Sequence, residues 1–239
     1  MPMQFNAFPR DGLAFLADLA AHNDRAWFAA HKQEYQATLL EPAQAFVGVL
    51  GERLRALAPG IRADPRTDGR GTLMRLSRDT RFSDDKTPYK TELSGLFWEG
   101  DGEKTACPAF GFRLQADGMD LMAGMFAFPK DALSMFRAAV VDEQLGSELV
   151  AVLDSLGAQA GYQVGGEHYR RVPAGYDSNH PRAALLRHNA LYIHPPRLGV
   201  DVVCSASVVD RCFAHFQAMA PLQRWLVKVL QDQATPVEG

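Results

Sequence analysis

The chain has 239 residues, 47% of them hydrophobic, and a formal net charge of -3. A chain of this size and composition buries a core without external staples, and its mildly acidic balance excludes a general nucleic-acid coat or an anionic-membrane binder while leaving room for a local basic patch. Cys107, Cys204 and Cys212 are an odd set without CxxC spacing; they fit neither a disulfide framework nor a zinc ribbon and point to a reducing, cytoplasmic location.

The first residues lack a basic segment followed by a long apolar stretch, and no apolar run approaches the roughly 18 residues of a membrane span. The expectation is a soluble, unprocessed chain with no membrane partner. Phe15, Leu16 and Leu19 recur at helical spacing and predict a short helix. Asn23 or Asp24 is placed to cap a longer second one, continued by Trp27, His31, Glu34 and Tyr35. Pro42, comfortable in a first helical turn, predicts a fresh start for the stripe Phe46, Leu50, Leu54 and Leu57, which stops at Pro59 and Gly60.

The middle of the chain changes period. Runs 72–78, 91–98, 108–115 and 119–128 are short, strand-like and separated by Asp, Gly and Pro signals, with Asp117-Gly118 a hairpin signal. Pro129 then opens a helix with Leu133, Phe136 and Val140 on one face, and Leu145, Leu149, Val152, Leu153 and Leu156 form another that ends at Gly157. A strand near 162–164, a Gly-, Pro- and Tyr-rich connection, a brief helix at 182–188 and a strand at 191–194 follow. Ser207 and Asp210 resemble a capping box, and Phe213, Phe216, Leu222, Trp225, Leu226 and Val229 form a last apolar stripe interrupted at Pro221. No repeat or linker separates these segments. The expected architecture is therefore a single α+β domain over 1–232, an antiparallel sheet meander flanked by helices, with a frayed tail at 233–239.

Chemistry concentrates at 77–90, where four cations and three carboxylates surround a Pro-containing turn. Strand alternation would put Arg78 on one face with Met74 and Leu76, and Arg75 on the other with Leu73 and Ser77. Convergence of Arg78, Arg81, Lys86 and Lys90 then requires 79–89 to fold back, which an Asx-type turn at 83–85 and the extended Thr87-Pro88 step supply. Arginine forks suit phosphate or carboxylate, Lys adds a point charge, and Tyr89 or Phe82 offers a ring to a base or sugar. The opposing reading is a loop in which Asp79, Asp84 and Asp85 pair with the same cations and only hold its shape.

At this run the chain resembles the domain of unknown function 2461 family, in which a segment like 78–90 is the hallmark. The resemblance extends over nearly the whole chain: 23–28 is similar to the family's early helix opening, with Asp24 where a second Asn is expected, 124–129 to its middle segment and 170–177 to its late one. It implies membership and the location of a working surface, and it assigns no reaction.

A second cluster at 167–177, with Arg170 and Arg171, is expected to form the opposite wall of the same cleft, and His168 or His180 could then serve as acid or base beside Asp79. His188 and His194 lie about 20 Å apart on one strand, too far to share a metal. HExxH, GxGxxG, Walker and GxSxG motifs are missing from the sequence. Interleaved cations argue against Mg²⁺ on Asp79, Asp84, Asp85 and Glu167, so no metal and no cofactor is expected. Cys204, Cys212, Trp27, Phe28, Phe97 and Trp98 read as core. Three functions stay open: an anion-binding module for a phosphorylated small molecule or a nucleic-acid end, a phosphoester hydrolase or transferase using the same cleft, and a structural or partner-binding protein with a self-paired loop.

Overall fold

A computed structural model of the chain describes residues 4–231; the tail expected at 233–239 lies outside them. The fold is α+β, an antiparallel sheet with flanking helices. Among the described residues the helices are α1 (Arg10–Ala21), α2 (Arg25–Ala30), α3 (Lys32–Tyr35), α4 (Glu41–Leu54), α5 (Lys130–Val141), α6 (Glu143–Gly157), α7 (Ala183–Leu186), α8 (Val200–Val203) and α9 (Val208–Gln231). The strands are β1 (Ile61–Arg62), β2 (Leu93–Glu99), β3 (Ala109–Gln115), β4 (Gly118–Met125), β5 (Gln163–Glu167), β6 (His188–His194) and β7 (Leu198–Gly199). Their order is β1-β2-β3-β4-β6-β5, with β7 paired to β4. No helix among the described residues is long and apolar enough to cross a membrane.

The chain divides into two compact units. The first comprises the described part of Met1–Phe97 with Gly111–Leu121 and Arg197–His215. Its core forms where the helical stripes of α1 and α4 bury Phe15, Leu16, Leu19, Phe46, Leu50 and Leu54 completely. Phe46 links Phe8 and Phe112 through ring centroids 5.2 and 5.1 Å apart. Asp24 caps α2 as expected, its carboxylate accepting the Trp27 N–H at 2.8 Å.

The long second helix does not form. α2 stops at His31 (φ -105°, ψ 13°), α3 adds one turn, and Gln36–Leu40 is a π-helical turn leading into α4. None of the residues of α2 and α3 is buried, so no apolar stripe holds this stretch straight, and helical stability in proteins comes mainly from such packing. Trp27 and Phe28 are accordingly half-buried rather than core, with Trp27 stacked on His31 at 4.1 Å and Phe28 on Tyr89 at 4.2 Å, whereas Phe97 and Trp98 are buried.

Segment 72–78 is not a strand. It touches β2 through a bridge at Leu73–Gly95 and a bond from the Met74 N–H to the Ser94 carbonyl, then changes partner and pairs Ser77 with Tyr89. Asp210 does not complete a capping box either; its carboxylate takes Arg53, and the Ser207 hydroxyl meets that of Ser205 at 2.8 Å. Cys212 is buried as expected, and burial pushes its thiol up to about 12. Cys204 is only half-buried.

The second unit comprises Trp98–Phe110, Met122–Pro196 and the described part of Phe216–Gly239. Here β6 sits between β4 and β5, with Ile193 opposite both Ala123 and Val164. Phe136 of α5 stacks on Phe128 at 4.7 Å, and the Trp225 indole N–H donates to the Leu145 carbonyl at 2.9 Å. Pro221 lies inside α9 without ending it. Arg182 clamps the end of α5. Its Nε donates to the Val140 carbonyl at 2.6 Å and one terminal nitrogen to the Asp142 carbonyl at 3.0 Å, satisfying the end of α5.

Candidate functional site

The partner change at Met74 shapes the neighbourhood of the charged loop. Two backbone bonds close its neck, from the Arg78 N–H to the Pro88 carbonyl and from the Lys90 N–H to the Leu76 carbonyl, both 2.8 Å. The expected fold-back of 79–89 is therefore present. An Asx turn forms at Asp85, whose carboxylate accepts the Thr87 N–H at 2.9 Å, and another at Asp79, which accepts the Arg81 N–H at 3.2 Å. Asn23 fastens the loop from outside. Its side chain donates to the Tyr89 carbonyl at 2.9 Å and accepts the Tyr89 N–H at 3.1 Å, while the Tyr89 ring lies on Phe28.

Two of the four expected cations are already paired. Arg78, 26% exposed, donates to the Asp85 carboxylate and the Thr87 hydroxyl. Arg81, 76% exposed, turns to Asp79 and holds both carboxylate oxygens. The Thr87 N–H, the Arg78 guanidinium and the Thr87 hydroxyl hold the Asp85 carboxyl down to about 2, and the Arg81 guanidinium and N–H hold Asp79 below the usual carboxylate range. Lys86 donates to the Thr80 carbonyl at 3.1 Å, and Lys90 makes no ion pair among the described residues.

Two concavities flank Arg78. One, of about 430 Å³, is lined by Gly69, Met74, Arg75, Ser77, Arg78, Asp79 and Lys90. The other, of about 370 Å³, is lined by Asn23, Asp24, Arg25, Ser77, Arg78, Thr80, Lys86, Pro88 and Tyr89. Each is lined by three cations and one carboxylate, a local excess of positive charge in a chain of net charge -3.

Arg75 is the residue sequence reasoning missed. Alternation assigned it to the face away from Arg78, but 72–78 is not a regular strand, so both line the same concavity. The Arg75 Nε donates to the Asp68 carbonyl at 2.9 Å. Its stem lies over Gly69, where φ is +84° and a Cβ would come within 2.6 Å of that nitrogen. Asn23 was visible only as a possible cap, and Arg25 carried no signal beyond its place in the 23–28 segment.

The remaining candidates belong to the second unit. Arg170 and Arg171 are exposed on the segment after β5. The His168 N–H donates to the Arg187 carbonyl at 3.0 Å, and its ring meets Tyr169 edge-on. His180 Nδ1 accepts the Arg182 N–H at 3.0 Å.

The first unit thus defines an α+β protein whose closed, cation-rich loop is fastened to a helix start by one asparagine. The chain belongs to the family described as Conserved hypothetical protein (DUF2461), whose pattern matches residues 11–225. No curated protein matches the chain.

Proposed function

We propose that segment 75–90 binds an anionic group, a phosphate above all, with Arg75 and Lys90 holding it beside the fixed guanidinium of Arg78. The observation that carries this reading is the state of Arg75: its Nε is anchored to the Asp68 carbonyl, while its terminal nitrogens have no acceptor among the described residues. A guanidinium ordered through one nitrogen presents its other donors with little rotamer freedom left to lose on binding. Lys90, in the same concavity and without an ion-pair partner among the described residues, adds charge. Asp79, the proton-transfer candidate of this unit, has its carboxylate engaged by Arg81, which favours binding over turnover.

Inorganic phosphate tests the reading. At about 100 times its dissociation constant a ligand stabilises the native state by about 2.7 kcal/mol, so the unfolding temperature of the wild type rises across a phosphate series at constant ionic strength. The Arg75→Ala, Lys90→Ala double variant loses that rise. An equal rise in both proteins, or none in the wild type, contradicts the proposal.

The pairs Arg78–Asp85 and Arg81–Asp79 support a second reading, a self-paired loop that only keeps its own shape. On that reading phosphate moves neither protein, whereas Asp85→Ala alone lowers the unfolding temperature.

A further inference from the structure

We infer that the ligand of this site is a segment of single-stranded nucleic acid, bound with consecutive phosphates on either side of Arg78 and a base on Phe82; the inference rests on the anion reading above. The two concavities share Ser77 and Arg78, so Arg78 is a partition between them. Each keeps cations of its own without a carboxylate partner among the described residues, Arg75 and Lys90 on one side, Arg25 and Lys86 on the other. The partition itself is fixed by Asp85 and Thr87. A ligand that satisfies both sides needs two anionic groups spaced to straddle one side chain. Successive phosphodiesters, separated by a sugar, have that character; the phosphates of a diphosphate share one bridging oxygen and do not.

Phe82 supplies the rest of the argument. It is 95% exposed in the middle of the cation-bearing loop, with the Arg81 guanidinium 5.7 Å from its ring centroid. An exposed phenylalanine forgoes the stabilisation that burial brings, so apolar packing within the folded loop does not account for this ring. Stacking platforms beside a cationic groove are the common device for holding single strands without reading their sequence. An acidic chain with a local cationic patch fits a strand segment or end better than a long duplex.

The test uses the full chain and a fluorescein-labelled ten-residue oligothymidylate, with an abasic strand of equal length and a polyphosphate of matched charge as competitors. We expect the oligothymidylate to compete about tenfold better than either, and its log affinity to fall with log salt with a slope near -1.4, about -0.7 for each of two neutralised phosphates. Phe82→Ala weakens oligothymidylate about tenfold more than it weakens inorganic phosphate. Arg75→Ala and Lys86→Ala each reduce the salt slope by about 0.7. Equal competition by the abasic strand or by polyphosphate overturns the inference, as does a Phe82→Ala protein with unchanged preference. Those outcomes leave phosphate-induced stabilisation intact, whereas loss of that stabilisation in the wild type overturns the anion reading beneath it.

Discussion

Arg182 in the second unit and Arg75 in the first are held by the same device and end in opposite states. Each lies over a glycine, Gly146 or Gly69, where a Cβ would come within 2.4 or 2.6 Å of the arginine Nε. Each donates that Nε to a backbone carbonyl, of Val140 or Asp68. Arg182 also places its terminal nitrogens on Val141, Asp142 and Ser147 and is 11% exposed. Arg75 is exposed, and its terminal nitrogens find nothing among the described residues. The contrast teaches that the number of arginines in a segment says little about binding; what separates a structural cation from an available one is whether its outer donors are already satisfied.

The comparison breaks most visibly at Arg182. Arg182→Ala strips the end of α5 of charge-assisted donors in a nearly buried place, and chemical denaturation is expected to register a loss of about 3 kcal/mol. A loss below about 0.5 kcal/mol would mean that those carbonyls are satisfied by water and that the clamp is incidental. Asn23→Ala comes next. It leaves the N–H and carbonyl of half-buried Tyr89 without their partner, for an expected cost of about 1–2 kcal/mol, and it loosens the loop, so amide exchange at Tyr89 accelerates with the loss. Unchanged exchange at Tyr89 would show that the loop is held by its own neck alone.

A smaller effect follows acidification. The Asp85 carboxyl sits at about 2 in the folded loop against an ordinary 3.8. The folded state therefore binds this proton less readily than the unfolded chain, and the stability Asp85 contributes is complete above pH 3.8 and lost as pH falls from there through about 2. A carboxyl-carbon NMR titration should find the midpoint near 2 and, in Arg78→Ala, part of the way back toward 3.8, because the Thr87 donors remain. The smallest expected stability change belongs to Arg75→Ala. It stays within about 0.5 kcal/mol of the wild type while phosphate binding weakens, the reverse of the Arg182 result.

How much of this was legible in the sequence depends on whether the controlling interactions are local. Phe15, Leu16 and Leu19 of α1, Phe136 and Val140 of α5, and Asp117-Gly118 at the start of β4 carry their periods and turn signals within a few residues, and the structure places those elements as expected. Residues 72–78 read as a strand because they form a short run set off by Gly and Asp signals, with Met74 and Leu76 alternating onto one face, but their partner changes from β2 to 88–90 within the segment, a tertiary event that alternation does not encode. Arg75 was therefore assigned to the wrong face. Arg182 was missed for a related reason: its acceptors are carbonyls about 40 positions earlier in the chain, and a backbone carbonyl leaves no mark on a sequence. The location of the charged loop was legible; which of its cations are already taken was not, since that depends on where Asp79 and Asp85 turn.

The most direct test watches both arginines in one sample. In a nitrogen-15 NMR titration with inorganic phosphate, the side-chain signals of Arg75 and Lys90 should shift and saturate together while those of Arg182 stay fixed. An Arg75 signal that does not move, or arginine signals that all drift in proportion to added salt, would contradict a binding site built from the cations the fold leaves unsatisfied.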